Sequence, residues 1–422
     1  MTYGLLGEKL SHSFSPQIHR ELGNPGYTLT ELPHEAVKDF FQKREFSAIN
    51  VTIPYKKDAL AACDRVSPRA HAIGSVNTVV KEADGTISGY NTDAYGFEYM
   101  LRLGGIDPRG EKCLVLGSGG SSVMAQYVLR QLGAREVIVV SRAGENNYDN
   151  LHLHADAGVI VNTTPVGMYP KNGASPVDLA DFPALKGVAD LIYNPALTKL
   201  LLDAERLGIP HVGGLSMLVA QAKLAHLLFF GKVDSDEIAV TCPDADIDAI
   251  TDIIRTETMN ILLIGMPSCG KSTVGRILAE RTGRPLIDTD ALIVERAGKP
   301  IPEIFAEEGE EAFRTIETAV AADVCKGSGQ IIATGGGIVT RERNHDLIRQ
   351  NSLVIFINRP IEELSTDGRP LSQQNRLSDL LSARLPLYRG LCDREIAFVS
   401  SPQVADEIMA LIREKSNTSE ET

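Results

Sequence analysis

Residues 260–283 read NILLIGMPSCGKSTVGRILAERTG. A short continuous apolar run, Ile261 to Ile264, meets a glycine loop, and an amphipathic pattern begins directly behind it. Such a run, bounded by glycine, reads as a strand buried on both faces, and strands of that kind belong to parallel sheets. The loop from Gly265 to Thr273 fits GxxxxGK[ST] in full. In that pattern backbone N–H groups cradle phosphates. Gly265 and Gly270 permit the tight nest, Lys271 reaches the terminal phosphates, and Ser272 offers a hydroxyl to magnesium, with Ser268, Cys269 and Thr273 completing the loop. Taken alone, the pattern says nucleotide and no more.

A second strand, glycine loop and helix pattern lies upstream, CLVLGSGGSSVMAQYVLRQLG at 113–133. Its loop, Gly117, Ser118, Gly119, Gly120 and Ser121, suits a dinucleotide, because glycines let the backbone approach a pyrophosphate at a helix N-terminus. The next strand, VIVV, ends in Ser141 and Arg142. A site selective for NAD presents Asp or Glu there, so the arginine favours the extra phosphate of NADP(H). The two loops differ in spacing and geometry and are not copies of one repeat.

Two such units need two domains, and 422 residues exceed what a single core usually supports. With 43% hydrophobic and 23% charged residues the composition is globular. No stretch approaches the roughly 18 apolar residues of a membrane helix, so no membrane association is expected. A net charge of −13 argues against nucleic acid, which demands clustered positive charge. Anionic ligands must then be held by a few local Arg and Lys residues. The cysteines, Cys63, Cys113, Cys242, Cys269, Cys325 and Cys392, lack the spacing of a zinc site or disulfide framework, and the opening MTYGLLGEKLS has no secretory pattern. Reduced thiols and a cytoplasmic location are expected, and the sequence leaves room for a homodimer.

Upstream of the dinucleotide loop, NVTIPYK at 50–56 sets Asn50, Thr52, Pro54 and Lys56 in alternation, which an extended chain places on one face. An exposed edge strand closed by its proline would read the same way. In VNTVVKEADGTISGYNTD the pair Asp84-Gly85 signals a two-residue hairpin. Pairing outward from it sets Asn77 opposite Thr92, next to Asp93. Asp93 also stands directly before the helical pattern AYGFEYMLRLG, where it could serve as a cap.

Six motifs in order, SHSFSP at 11–16, NVTIPYK, GSVNT at 74–78, NTD at 91–93, GSGGSS at 117–122 and GLSMLVAQA at 214–222, resemble the successive signatures of shikimate dehydrogenases. The resemblance covers roughly the first 240 residues and implies that Ser13 and Ser15 hold the substrate carboxylate. It assigns Asn50, Thr52, Asn77, Asp93 and Gln221 to the hydroxyls, Tyr193 in DLIYNP to the substrate site, and Lys56 with Asp93 to catalysis. A lysine suits hydride transfer to a ketone, because the negative charge left on oxygen can take its proton. An ordinary Lys and Asp ion pair is the bland alternative. The family usually has Asn and Thr beside the arginine where this chain has Ser141 and Ala143. It also has a further helix and strand where only GENNYDNLHLHADAG intervenes before Val159, so a trimmed cofactor domain is expected.

Downstream, the phosphate loop is followed by DTD at 288–290, AFRTIE around Arg314, ATGGG at 333–337, DGRPL around Arg369 and ARLPLY around Arg384, a set that resembles shikimate kinases from Met259 to about residue 415. The resemblance implies ATP as the nucleotide, with Asp288 near Mg2+ and Asp290 on the substrate hydroxyl. It further implies Arg314 and Arg384 on the carboxylate, Gly335, Gly336 and Gly337 along the substrate, and Arg369 in a closing lid. Guanidinium groups bind carboxylates bidentately, and phosphoryl transfer is mainly positioning and charge neutralisation. Members often have glycine where Ser268 stands.

The expected architecture is α/β throughout: a substrate-binding domain over 1–103, completed by about 215–240, and a Rossmann-like NADP-binding domain over 104–214. A helical linker over 241–257 would lead to a parallel-sheet, P-loop (NMP-kinase-like) domain over 258–415 and a disordered tail over 416–422. Together the halves would reduce 3-dehydroshikimate with NADPH to shikimate and then phosphorylate shikimate with ATP. The rival readings are a quinate/shikimate dehydrogenase fused to the kinase, or one half reduced to a ligand-binding or regulatory module.

Overall fold

The structure, a computed structural model, describes residues 2–10, 13–364 and 374–417. The first sheet is mixed and six-stranded: β1 (Tyr3–Gly7), β2 (Tyr27–Glu31), β3 (Ala48–Val51), β4 (Arg65–Val66), β5 (Thr78–Lys81) and β6 (Ile87–Tyr90), in the order β2-β1-β3-β5-β6-β4. Its helices are α1 (Ser15–Glu21), α2 (His34–Lys43), α3 (Lys56–Ala62), α4 (Pro68–Ile73) and α5 (Asp93–Leu103). Leu6, Ile49, Val51 and Val79 turn inward onto Val37 and Phe41 of α2 and form its core.

Three local expectations change here. The extended run ends at Val51, and a turn closed by Tyr55 N–H on Thr52 O (3.0 Å) leads into α3, so Lys56 opens a helix and does not continue the strand alternation. The hairpin register is one residue away from the expected one. Thr78 pairs with Tyr90 and Lys81 with Ile87, and Glu82 N–H reaches Thr86 O at 2.8 Å. Three residues, 83–85, therefore lie inside the Glu82 and Thr86 pair that closes the loop, with Gly85 at φ 83°, the left-handed position that a three-residue loop requires. Asp93 is the first residue of α5 but caps nothing; Asn91 Oδ1 instead accepts from Ala94 N–H at 3.3 Å.

A second sheet is parallel throughout: β7 (Lys112–Leu116), β8 (Glu136–Val140), β9 (Val159–Asn162), β10 (Gly187–Asp190) and β11 (His211–Gly213), ordered β11-β10-β9-β7-β8. Strand order reverses at β7. In open α/β sheets ligands bind at such switch points, beyond the carboxyl ends of the strands. The glycine loop leaves β7 there and enters α6 (Gly120–Gln131). Between β8 and β9 there is only a 3-10 turn at Leu151–His154, which matches the trimmed cofactor domain. After α7 (Lys199–Arg206), α8 (Leu215–Phe229) returns to the first sheet, packing Ala225 and Phe229 with Leu5 and Ala48.

The segment expected to be a linker is a packed helix, α9 (Ala245–Thr258). Ile247, Ile250 and Ile254 are buried with Tyr99 and Leu224, the Tyr99 hydroxyl donates to Asp248 Oδ1 at 2.5 Å, and Lys223 pairs with Asp244 at 2.6 Å. Its isoleucines at i, i+3 and i+7 make the buried stripe, and Asp244 and Asp248 flank it with polar contacts to Lys223 and Tyr99.

The third sheet is again parallel: β12 (Asn260–Ile264), β13 (Leu286–Asp288), β14 (Ile331–Ala333), β15 (Ser352–Asn358) and β16 (Arg394–Ala397), ordered β13-β14-β12-β15-β16. Its helices are α10 (Lys271–Thr282), α11 (Thr289–Ala297), α12 (Ile301–Glu307), α13 (Gly309–Val324), α14 (Glu342–Arg349), α15 (Gln374–Leu391) and α16 (Ser401–Asn417). The central strand β12 is buried at every position and ends in the phosphate loop, at this sheet's own switch point. Helix α16 includes Ser416 and Asn417, where the disordered tail was expected to begin; residues 418–422 lie outside the described residues.

The chain packs as two compact units, the first of residues 1–167, 174–193 and 200–254, the second of 168–173, 194–199 and 255–422. Within the second, the Tyr169 hydroxyl donates to Cys325 O at 2.9 Å and Leu197 N–H to Gln350 O at 2.9 Å. No described helix is long and apolar enough to cross a membrane.

Candidate active sites

In the first unit a cleft of about 550 Å³ opens where β3, α1, α3, α5 and α8 present their ends. Ser13, Ser15, Asn50, Thr52, Lys56, Asn77, Asp93, Ser121, Tyr193 and Gln221 all line it. Residues scattered over more than 200 positions thus meet in one place. Lys56, on the first turn of α3, reaches Asp93, on the first turn of α5, at 2.5 Å; their side chains are 21% and 16% exposed, open enough to meet a ligand. Tyr193 packs its ring on Phe14 with centroids 5.5 Å apart, and burial raises its phenol above the ordinary range.

Of the glycine loop only Ser121 faces this cleft. Gly117, Ser118, Gly119 and Gly120 bridge β7 and α6, and at Gly119 and Gly120 nothing stands within 4 Å of where a side chain would begin. That open approach is what a pyrophosphate needs. Ser141 and the exposed Arg142 follow β8, and among the described residues no carboxylate pairs with Arg142.

Beneath the cleft the motif residues are joined by others that no motif contains, Tyr27, Ser67 and Asp236. The Tyr27 hydroxyl donates to Asn50 Oδ1 (2.8 Å), and Asn50 Nδ2 donates to Thr78 Oγ1 (3.1 Å). Thr92 N–H donates to Asn77 Oδ1 (2.8 Å), and Thr92 Oγ1 lies 3.4 Å from Gln221 Oε1. Asp236, fully buried, accepts from Asn91 N–H (2.7 Å) and Ser67 Oγ (2.8 Å), tying the NTD segment to the chain after α8; burial raises its carboxyl. Tyr27, Ser67 and Asp236 come from parts of the chain far from the motifs they support, so no local pattern announces them.

In the second unit a smaller cleft, about 230 Å³, is lined by Ser268, Gly270, Lys271, Ser272, Thr273, Asp288, Asp290 and Thr334. Ser272 Oγ donates to Asp288 Oδ2 (2.8 Å), while Asp288 Oδ1 caps α11 by accepting from Asp290 N–H (3.0 Å). Lys271 is folded onto its own loop, donating to Gly265 O (2.9 Å) and Met266 O (2.8 Å), with Cys269 Sγ at 3.6 Å. Ser268 adopts φ 63°, the left-handed region that glycine enters freely, so the departure from glycine at this position carries local strain.

Arg314, Gly335, Gly336, Gly337 and Arg384 come together beside this cleft but do not line it. Gly336 O accepts from Arg384 Nη1 (3.2 Å) and from the Tyr388 hydroxyl (2.5 Å). A Cβ at Gly337 would overlap the Arg314 guanidinium, so glycine is required for that close approach. Arg314 also pairs with Glu317 at 2.8 Å; Glu317 is 1% exposed, its Oε1 has no partner, and burial pushes its carboxyl up against the pull of Arg314. Its i+3 spacing from Arg314 in AFRTIE was the available signal. Arg369 lies outside the described residues.

Two doubly wound sheets with ligand loops at their switch points, one beside a Lys and Asp pair and one beside a Ser and Asp pair, define a dinucleotide-linked oxidoreductase joined to a P-loop phosphotransferase. Comparison with known proteins narrows both. A shikimate dehydrogenase substrate-binding domain matches residues 5–79 and a shikimate kinase domain matches residues 267–413. The NADP(+) shikimate dehydrogenase of Caldicellulosiruptor bescii is 37% identical over 258 residues, 54% of this chain and 89% of its own. Among solved structures, a chorismate mutase/shikimate 5-dehydrogenase fusion protein from Clostridium acetobutylicum superposes with TM-score 0.54 at 36% identity, over 60% of this chain and 96% of its own. A shikimate 5-dehydrogenase from Thermus thermophilus, in complex with NADP(H) and shikimate, gives 0.52 at 33% identity, over 60% and 98%. The chain belongs to the shikimate dehydrogenase family, and it carries a shikimate kinase domain behind the dehydrogenase: two enzymes of the shikimate pathway in one polypeptide.

Proposed function

We propose that the first unit reduces 3-dehydroshikimate to shikimate with NADPH and that the second phosphorylates shikimate with ATP to shikimate 3-phosphate. The observation that carries this reading is the Lys56 and Asp93 pair, set in a cleft whose other polar walls are Ser13, Ser15, Asn50, Asn77 and Gln221. Ser13 and Ser15 offer hydroxyls to the substrate carboxylate. Lys56 gives a proton to the oxygen that becomes negative, and Asp93 holds the ammonium in place. Bound NADP(H) supplies the hydride. The backbone of Gly119 and Gly120 leaves room for its pyrophosphate, and Arg142 is free to meet the added phosphate.

In the second cleft Ser272 and Asp288 would hold Mg2+ together with phosphate oxygens and water, since this ion keeps few protein ligands. Among the described residues no group of three acidic, His or Cys side chains forms a ready cage. Lys271 exchanges its two loop carbonyls for ATP phosphates, Asp290 accepts the proton of the substrate hydroxyl, and Arg314 and Arg384 meet its carboxylate. Six free cysteines support a reducing, cytoplasmic setting.

Assaying the whole chain with shikimate and NADP+, and separately with shikimate and MgATP, tests the reading. Both pairs should turn over. Failure of one pair in folded protein reduces that half to a binding module, and turnover of quinate at the rate of shikimate would favour the broader dehydrogenase.

A further inference from the structure

The buried polar row under the dehydrogenase cleft has a fixed direction. Thr92 N–H, which can only donate, reaches Asn77 Oδ1 at 2.8 Å, so the Asn77 oxygen faces inward and its nitrogen donates to Thr92 Oγ1 at 3.1 Å. The Thr78 hydroxyl lies 3.2 Å from that same Asn77 oxygen, an atom that only accepts, and 3.1 Å from Asn50 Nδ2. Thr78 therefore accepts from Asn50, and its own proton goes to Asn77 Oδ1 or to Thr92 Oγ1, 3.1 Å away. The other hydrogen of Asn50 Nδ2 points at Asn77 O, 3.4 Å away; a reversed amide would set two acceptors face to face. What remains is Asn50 Oδ1, which takes the Tyr27 proton at 2.8 Å.

Tyr27 has little freedom to do otherwise. Its side chain is buried, and the His19 ring stacks on it at 3.8 Å and 7°. Counting donors and acceptors then shows what is left for a ligand. Both hydrogens of the Asn50 amide are used and one lone pair of its oxygen is left over from Tyr27, whereas the Asn77 oxygen is enclosed by Thr92 N–H and the Thr78 and Thr92 hydroxyls and one N–H of its amide is left over.

We propose that Tyr27 and Thr78 are positioning residues that set the sense of substrate recognition, so that Asn50 presents only an acceptor and Asn77 only a donor to two ring hydroxyls. The proposal rests on the first cleft being the shikimate site. A polyol is then held with one hydroxyl donating and its neighbour accepting, which discriminates more sharply than two groups free to rotate.

The test replaces each of the two hydroxyls of shikimate that do not react in the dehydrogenase, in turn, by hydrogen and by fluorine, which accepts weakly and cannot donate. At the hydroxyl facing Asn50 both replacements should raise KM by about tenfold, the cost of one lost hydrogen bond. At the hydroxyl facing Asn77 fluorine should recover part of what hydrogen loses. Tyr27→Phe should raise KM for shikimate by about tenfold with kcat lowered less than threefold, and should shrink the penalty of the Asn50-side analogues to under threefold. NADPH affinity, read from its own fluorescence in a chain without tryptophan, should not move. Thr78→Val should act as Tyr27→Phe does and Thr78→Ser should restore the wild-type pattern, which keeps the test open if one variant does not fold. Fluorine and hydrogen behaving alike at both hydroxyls, or variants with the wild-type analogue pattern, would overturn the proposal. Wild-type turnover of shikimate is measured first, and its absence contradicts the proposed function and not the hydrogen-bond direction.

Discussion

Lys56 Nζ lies 2.5 Å from Asp93 Oδ2, and neither residue has a second ion-pair partner among the described residues. The pair joins two helix starts, α3 and α5, that no continuous element connects. A surface ion pair worth under about 1 kcal/mol would not require both groups to line a cleft. Lys56→Ala should therefore lower dehydrogenase kcat by about 10² to 10⁴, the range for losing a positioned general acid. KM for shikimate should change less. Steady-state kinetics check this, and an unchanged kcat would leave Lys56 as a binding residue at most.

Cofactor choice follows from the end of β8. Arg142 is exposed with no carboxylate paired to it among the described residues, and no acidic residue stands at that strand end. NADPH should be preferred to NADH in kcat/KM, and Arg142→Asp should reduce or reverse the preference. Equal use of both cofactors by the wild type would contradict the assignment.

In the phosphate loop Lys271 is the cation available to developing phosphate charge. Lys271→Ala should remove kinase activity while hydride transfer continues near its normal rate, and Lys56→Ala should do the reverse. Both reactions assayed in both variants decide the matter. Loss of both from one substitution in folded protein would mean that the sites do not act independently.

His19 gives the first unit an acid-sensitive element. Burial, with His226 nearby, holds its imidazole down at about 3 from an ordinary 6.5. The unfolded chain therefore binds a proton that the folded chain refuses. Stability is untouched above pH 6.5 and is lost as pH falls from 6.5 toward 3, at up to about 1.4 kcal/mol per pH unit. His19→Phe, which can keep the stack on Tyr27, should flatten this acid limb by about one proton. Urea midpoints at neutral and mildly acidic pH measure it, and an unaltered slope would show that His19 does not carry the effect.

Residues that line the two clefts are legible in the sequence, because their chemistry is marked by type and local spacing: glycine before a helix, lysine after a polar alternation, aspartate beside threonine. What supports them is not. Tyr27 looks like an ordinary strand residue, and Thr78 and Thr92 stand inside motifs without a role, until the first sheet brings all three under the cleft. The hairpin register missed by one residue because Asp84-Gly85 suits both a two-residue and a three-residue turn, and only strand pairing chooses. Asp93 does not cap α5 because the helix begins at Asp93 itself, and Asn91 Oδ1 takes the Ala94 N–H. The acidic stretch 241–257 looked like a linker because its apolar stripe is narrow; Tyr99 and Leu224 supply the surface that makes it a packed helix.

The central claim is that one chain performs both reactions in order. Purified full-length protein given 3-dehydroshikimate, NADPH and MgATP, with every product identified by mass spectrometry, tests it most directly. Shikimate 3-phosphate should accumulate, with one NADPH oxidised and one ADP formed for each molecule. Accumulation that stops at shikimate, or no oxidation of NADPH, would contradict the account.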